Sequence, residues 1–101
     1  MVIISKAILN EFSKKHPAAS TAIIKWYNET KAADWSNFSD LKKTFNTSDV
    51  VANDRYIFDI KGNQYRLVAL IIFRIRTVFI LFIGTHKDYD KIDAAKINYT
   101  K

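Results

Sequence analysis

The sequence predicts an α+β fold: a short N-terminal strand and two to three helices packed on a three- to four-stranded, mainly antiparallel sheet. Up to residue 45, apolar residues recur every three to four positions, a period typical of amphipathic helices. From Arg55 the period changes to two, which is typical of strands. With 101 residues, 49% of them hydrophobic, the chain can form one packed core. We therefore expect a single domain over residues 1–101, with a loose tail at 94–101.

Composition limits the classes of protein to which the chain can belong. It has no cysteine, which excludes a disulfide framework and a thiolate metal site and fits a reducing cytoplasm. Residues 1–5 are too short for a signal peptide and lack its basic leader. The most apolar window, 67–84, is divided by Arg74 and Arg76 into runs shorter than the about 20 residues of a membrane helix. We therefore expect a cytoplasmic protein with no membrane span.

The first half of the chain predicts one strand and two antiparallel helices. Val2 to Ile4 is an apolar run long enough for a strand. Ser5 can cap the first helix, and Pro17 suits the first turn of the second helix. A third, shorter helix is predicted from Ser39-Asp40, followed by a loop over 46–53. The apolar faces of the first two helices are formed by Ile8, Leu9 and Phe12 and by Ala19, Ala22, Ile23, Trp26 and Thr30.

The second half predicts a hairpin with one polar face and one core face. Gly62-Asn63 offers a two-residue turn, because both residues tolerate positive φ. This turn pairs Asp59 with Arg66 and Ile57 with Val68. The polar face then carries Arg55, Asp59, Lys61, Gln64 and Arg66, and the core face carries Tyr56, Phe58, Ile60, Tyr65 and Leu67.

A third strand is predicted over residues 77–83, which are apolar on both faces, as central strands tend to be. A two-residue turn at Ile75-Arg76 would pair Arg66 with Thr85 and Leu70 with Leu81. A three-residue turn would shift the pairing by one residue and so change which side chains share a face of the sheet. A short helical turn is expected over residues 87–92.

Arg66, His86, Lys87 and Tyr89 are the residues best suited to chemistry, because the strand pairing brings them into one neighbourhood. Cleaving RNA without a metal requires a base for the 2′-hydroxyl proton, an acid for the 5′-oxygen and cations for the phosphate. His, Tyr and Lys can transfer protons, and the fork of Arg matches two phosphate oxygens. A net charge of +6 also favours a nucleic acid or another polyanion as partner.

Each of these residues also has a purely structural interpretation. Arg66 can serve as the cross-strand partner of Asp59, and His86 can bond to backbone at the end of a strand. Tyr89 can be a half-buried aromatic, and lysines are solvated by default. His16, beside Pro17, is expected to be structural or exposed.

No cofactor or metal is expected. Asp88, Asp90 and Asp93 echo the start of a calcium loop, but the required glycine and the terminal glutamate are missing. With two glycines, the chain cannot supply a glycine-rich phosphate loop or a dinucleotide fingerprint.

Several motifs carry a resemblance to a known family. Residues 58–67 read FDIKGNQYRL and residues 84–92 read GTHKDYDKI, preceded by Trp26-Tyr27, ADW at 33–35 and DLK at 40–42. In this order the sequence resembles HigB-type toxins of bacterial type II toxin-antitoxin modules, within the RelE-like superfamily of messenger-RNA endoribonucleases. The resemblance covers nearly the whole chain and implies a strand, helices and an antiparallel sheet.

The resemblance implies a function and partners. It implies metal-independent cleavage of messenger RNA, typically on the translating ribosome, and neutralisation by a cognate antitoxin of the helix-turn-helix type, through which the toxin would reach operator DNA. Arg66 would hold the scissile phosphate, and His86 and Tyr89 would transfer protons. The RNA backbone would be contacted by Lys61, Asn63, Lys87, Arg55 and Lys91.

One position departs from the family pattern. Family members usually carry an arginine five residues before the histidine of the GTH segment, where this chain has Leu81. The resemblance therefore implies an attenuated nuclease, unless Arg55 or Arg74 supplies the missing cation. Two alternatives stay open: a catalytically inactive, toxin-like protein that pairs with an antitoxin in a DNA-bound repressor complex, and a basic RNA-binding domain with no toxin role.

Overall fold

A computed structural model describes residues 1–98 and confirms the predicted α+β fold. The sheet has five strands in the order β1-β5-β4-β3-β2, with β1 parallel to β5 and the other pairs antiparallel. None of the helices in these residues is long and apolar enough to cross a membrane. The elements are β1 (Val2–Ile4), α1 (Lys6–Lys15), α2 (Ser20–Ala32), α3 (Phe38–Thr44), β2 (Asp49–Val50), β3 (Arg55–Ile60), β4 (Tyr65–Ile72), β5 (Thr77–Thr85) and α4 (His86–Tyr89).

The helices form where the apolar spacing predicted them, but one cap differs. Ser5 occupies the N-cap position of α1 with φ of 78°, and its side chain makes no capping hydrogen bond. The predicted Ser5 cap is therefore wrong, because side-chain caps need an extended backbone at this position. A 3₁₀ turn, Pro17–Ala19, precedes α2. Helix α3 is capped instead by Asn37, whose side chain accepts a hydrogen bond from the Asp40 N–H at 2.9 Å.

The β3–β4 hairpin has the predicted register, with Asp59 opposite Arg66 and Ile57 opposite Val68. Its turn differs in detail. Positive φ falls on Lys61 and Gly62 rather than on Gly62 and Asn63. Within the predicted loop over 46–53, the two-residue strand β2 pairs with β3.

The predicted register between β4 and β5 is wrong. Arg66 pairs with Gly84 rather than Thr85, and Leu70 pairs with Phe79 rather than Leu81. The strands are joined by a 3₁₀ turn, Phe73–Ile75, and by Arg76 in the left-handed region, a longer connection than the two residues expected. A bulge opposite Val68 and Ala69 then leaves Leu81 without a ladder partner.

The helices cover one face of the sheet and enclose the main core, here called the helix-side core. It contains the predicted core-face residues of the hairpin, together with Leu9, Phe12, Ile23, Trp26 and Leu41 from the helices. His16 stacks on Phe12, with ring centroids 4.3 Å apart, and lies beside Tyr65, so its predicted structural role is confirmed. Burial raises the pKa of Tyr56 in this core, and the nearby Asp54 carboxylate adds to the shift.

The other face of the sheet carries a smaller hydrophobic group, here called the second cluster. Its buried members are Val68, Leu81 and Ala94, and Tyr89, Ile92 and Ile97 pack against them. Val68 and Arg66 lie two residues apart on β4, so their side chains point to the same face of the sheet. Leu81 belongs to one cluster with Val68 and therefore shares this face with Arg66, as predicted. The chain after α4 therefore lies over this face. The loose tail expected at 94–101 is not seen up to residue 98, because Ala94 is buried and Asn53 and Arg55 donate hydrogen bonds to residues 95, 97 and 98. Residues 99–101 lie outside the described residues.

Candidate active site

Arg66 stands at the centre of the candidate site, on the face of the sheet opposite the helices. Its Nε lies 3.7 Å from Asp59 Oδ1, and its side chain is 32% exposed. The guanidinium carbon lies 4.9 Å from the centre of the Tyr89 ring, a distance typical of a cation–π contact. Arg66 thus pairs with Asp59 across the strands and contacts Tyr89 at the same time.

Helix α4 reaches this position because Thr85 and Gly84 allow a sharp, close turn out of β5. The Thr85 hydroxyl accepts a hydrogen bond from the Asp88 N–H at 3.2 Å, which caps the helix. A Cβ on Gly84 would lie 2.6 Å from Phe82 Cζ and 3.0 Å from Asp88 Cβ. Glycine is therefore needed for α4 to pack this closely against the strand.

His86 is the first residue of α4 and has unused hydrogen-bonding capacity. Within residues 1–98, His86 Nε2 and Arg66 Nε are both buried atoms with no hydrogen-bond partner. Most buried polar atoms in folded proteins are partnered, so each exception points to strain or to function. Four such atoms occur in the described residues: two belong to Arg66 and His86, which the sequence assigns to catalysis, and two, Trp26 Nε1 and Thr30 Oγ1, belong to buried residues of α2.

Polar and basic side chains surround this centre. The hairpin turn that carries Lys61 and Asn63 precedes Arg66 in β4, and α4 begins directly after the Thr85 that pairs with Tyr65. The turn and α4 therefore lie at the same end of the sheet. Lys61, Asn63, Lys87 and Lys91 are all exposed. This arrangement presents cations around Arg66 to solvent, where a polyanion can bind.

Arg55 is not part of this group, although the sequence assigned it to RNA binding. It pairs with Leu70, four residues along β4 from Arg66. It is 9% exposed, and its guanidinium donates to Asn53, Ile97 and Asn98. Its hydrogen bonds are thus made within the protein.

Leu81, the residue that departs from the family pattern, is buried on the same face of the sheet as Arg66. Leu81 is 8% exposed and packs in the second cluster with Tyr89. Arg74 lies in the turn between β4 and β5 and is exposed, at the opposite end of these strands from Gly84. Neither Arg55 nor Arg74 lies where it could replace a cation beside Arg66.

Sequence reasoning missed two contributors to the site. The first is the Thr85 cap, which the spacing Thr85-x-x-Asp88 could have revealed as a helix start. The second is the close approach at Gly84, which no sequence pattern identifies. Within the described residues, no three His, Cys, Asp or Glu side chains come together as a possible metal site.

Comparisons with known proteins agree with the resemblance. Residues 19–92 match the sequence model of a family described as HigB_toxin, the RelE-like toxic component of a toxin-antitoxin system. A protein named mRNA interferase HigB, from Escherichia coli O6:H1 (strain CFT073), is 33% identical over 94 residues, covering 91% of each chain. A protein named mRNA interferase toxin HigB, from Escherichia coli strain K12, is 27% identical over 92 residues, covering 89% of this chain and 88% of that protein. All the candidate site residues fall within residues 19–92, the range that the family model matches.

Proposed function

The chain belongs to the HigB_toxin family, the RelE-like toxic component of a toxin-antitoxin system, and on this basis we propose that it is a metal-independent endoribonuclease. It cleaves messenger RNA on the ribosome in the cytoplasm and is neutralised by a cognate antitoxin of the helix-turn-helix type, through which it reaches operator DNA. The observation that carries the proposal is the contact between Arg66 and Tyr89, whose guanidinium carbon and ring centre are 4.9 Å apart; His86, with a buried Nε2 that makes no hydrogen bond, begins the same helix as Tyr89.

The proposed reaction needs two proton transfers and one site for negative charge. A base removes the proton of the 2′-hydroxyl, the 2′-oxygen attacks the phosphorus, and the bond to the 5′-oxygen breaks as an acid protonates it. His86 and Tyr89 provide these transfers. Arg66 neutralises the equatorial phosphate oxygens, for which its charge and fork are suited.

The RNA backbone is held by exposed residues around this centre. Lys61 and Asn63 in the hairpin turn lie on one side of Arg66, and Lys87 and Lys91 lie on the side of α4. Their contacts with phosphates are not specific to sequence and weaken as salt rises.

Leu81 attenuates the proposed activity. A second cation on this face would stabilise the charged transition state, and losing one such preorganised group commonly costs about 10²- to 10³-fold in rate. Leu81 instead places an aliphatic side chain in the second cluster, against which Tyr89 packs. Within residues 1–98, the proposed centre therefore binds phosphate through Arg66 with no neighbouring arginine.

The experiment that tests this function induces the wild-type chain and, separately, a Leu81→Arg variant, and maps messenger-RNA ends by primer extension. We expect weak new 5′ ends with the wild type and about 10²-fold more cleavage with the variant. Both sets of ends should vanish when translation initiation is blocked. If neither chain produces new ends although both are folded, the nuclease proposal fails.

The burial of Leu81 favours one alternative, a catalytically inactive protein that pairs with an antitoxin in a DNA-bound repressor complex. Under this alternative the wild-type chain co-purifies with its antitoxin and binds operator DNA with it, but causes no cleavage and no growth arrest. Cleavage by Leu81→Arg alone would indicate an intact site that Leu81 disables.

A further inference from the structure

Arg55 is a buried arginine that binds the end of the described chain. Its Nε and one terminal nitrogen donate to the Ile97 carbonyl at 3.1 and 2.8 Å, and that same terminal nitrogen donates to Asn98 Oδ1 at 2.7 Å. The other terminal nitrogen donates to the Asn53 carbonyl at 2.6 Å. Four of the five guanidinium N–H groups are thus used by amide oxygens. The side chain is dedicated to internal contacts and is not available to bind RNA.

The contacts of Arg55 anchor the segment that follows α4, residues 90–98, here called the C-terminal segment. A second tether lies close by, since Asn53 Nδ2 donates to the Ala95 carbonyl at 3.0 Å. Between these tethers and α4, Ala94 is 8% exposed and packs with Val68 and Leu81 in the second cluster. The C-terminal segment is therefore held on the sheet by an apolar contact in its middle and by hydrogen bonds at its far end.

The position of Tyr89 depends on this anchoring, because α4 has only four residues. A helix of one turn is not stable by itself, and its position must come from tertiary contacts. Its first residues are fixed by the Thr85 cap. Its last residue, Tyr89, continues directly into the C-terminal segment, with the Ile92 N–H donating to the Tyr89 carbonyl at 3.2 Å.

From these contacts we infer that Arg55 is a positioning residue for the proposed reaction. By holding residues 97–98 on the sheet, it keeps the C-terminal segment in place and the Tyr89 ring against the Arg66 guanidinium. Arg55 pairs with Leu70 and Asp59 pairs with Arg66, which puts Arg55 about 13 Å from Arg66 along the strands. Its effect on catalysis is therefore indirect. The inference rests on the proposed function only for its catalytic consequence.

The anchoring can be tested without measuring activity. In Arg55→Met, we expect amides of residues 89–97 to exchange with solvent at least about tenfold faster, while those of β3 to β5 stay protected. The ring current of Tyr89 shifts the Arg66 Nε–H resonance, which in this variant should move toward its position in Tyr89→Leu. Arg55→Lys, which keeps the charge, and Asn98→Ala, which removes one acceptor, should give smaller changes. Lys43→Met removes one exposed charge on α3 and should change neither readout.

The catalytic consequence is measured by the cleavage rate at saturating substrate and by KM. We expect Arg55→Met to lower kcat by about 10- to 100-fold, since small misplacements of catalytic groups have effects of this size, with little change in KM. A selective rise in KM would instead make Arg55 an RNA-binding residue and overturn the inference. An unshifted Arg66 resonance with unchanged exchange would also overturn it. If the wild type itself does not cleave, the proposed function fails, and the exchange and resonance data still decide whether Arg55 positions Tyr89.

Discussion

The two faces of the sheet differ in what covers them and in the kind of side chain that they carry. The helix-side core is covered by regular helices and contains a chain of aromatic contacts, such as Phe58 with Trp26 and with Phe45. The second cluster has three buried members, Val68, Leu81 and Ala94, beneath a short helix and an irregular segment. Beside it lies Arg66, whose guanidinium contacts the Asp59 carboxylate and the Tyr89 ring.

The residues that stabilise the fold and the residues proposed for catalysis therefore lie on different faces of the same sheet. Aromatic packing on the helix side buries most of the apolar surface, which dominates the free energy of folding. The second face contributes less burial and carries the candidate catalytic groups, including the Arg66 guanidinium beside the Tyr89 ring. Substitutions on the helix side should therefore lower stability most, and substitutions near Arg66 should lower activity most.

The largest expected loss of stability follows substitution in the helix-side core. Phe58 is 1% exposed and packs between Trp26 and Phe45. Phe58→Ala should lower the free energy of unfolding by about 3 to 5 kcal/mol, because it removes a large buried ring and leaves a cavity. Urea denaturation followed by Trp fluorescence measures the loss. A loss below about 1 kcal/mol would show that the helix side does not dominate stability.

A substitution in the second cluster should cost less. Leu81→Ala removes a side chain that is 8% exposed beneath the C-terminal segment, which can settle into the space. We expect a loss of about 2 kcal/mol, at the low end for leucine truncation, in the same urea experiment. A loss equal to that of Phe58→Ala would remove the contrast between the faces.

Gly84→Ala should have a still smaller effect on stability but a clear effect on activity. The added Cβ would meet Phe82 Cζ at 2.6 Å and Asp88 Cβ at 3.0 Å, so the Phe82 ring must move and α4 must give slightly at Asp88. We expect about 1 to 2 kcal/mol of destabilisation from overpacking, together with slower cleavage as Tyr89 moves from Arg66. Gly62→Ala adds a Cβ that meets nothing within 4 Å but stands at φ of +68°, so it measures the stability cost of losing a glycine away from α4. Unchanged cleavage in Gly84→Ala would argue against a close-packed α4.

The smallest effect concerns pH. The pKa of Tyr56 is raised from its ordinary value of 10.0 by burial and by Asp54, so the folded state retains the phenol proton when the unfolded chain loses it. Its contribution to stability is complete below pH 10.0 and is lost as pH rises toward the higher, folded-state pKa. Urea titrations at neutral pH and above pH 10.0 should show a loss that Tyr56→Phe reduces. An identical loss in both chains would contradict this assignment.

The sequence predicted the helix side well because its signals are local. Periodicity placed Tyr56, Phe58 and Leu67 on the core face, and the Gly62-Asn63 turn set the register of the first hairpin. The second face depends on features that periodicity does not report. Strand β5 is apolar on both sides, so the bulge at Leu81 leaves no trace in the pattern.

Arg55 is a second residue whose role the sequence pattern does not reveal. Strand parity groups it correctly with Asp59 and Arg66, which suggested a shared role in RNA binding. Its role is set by contacts with residues 97 and 98, more than 40 positions away in the chain. A pattern within one hairpin cannot reveal a partner at that distance. The residue types of the candidate site could be predicted from the sequence, but the contacts that hold these residues in place could not.

The central claim, that the second face carries catalysis through Arg66, is tested most directly by cleavage with Arg66→Gln. Purified wild-type and variant chains are compared in single-turnover cleavage of messenger RNA on programmed ribosomes, with thermal unfolding of each chain measured alongside. We predict at least an about 10²-fold loss of rate with a nearly unchanged melting temperature, because Arg66 lies outside both groups of buried apolar residues. Cleavage at the wild-type rate by a folded Arg66→Gln chain would contradict the claim.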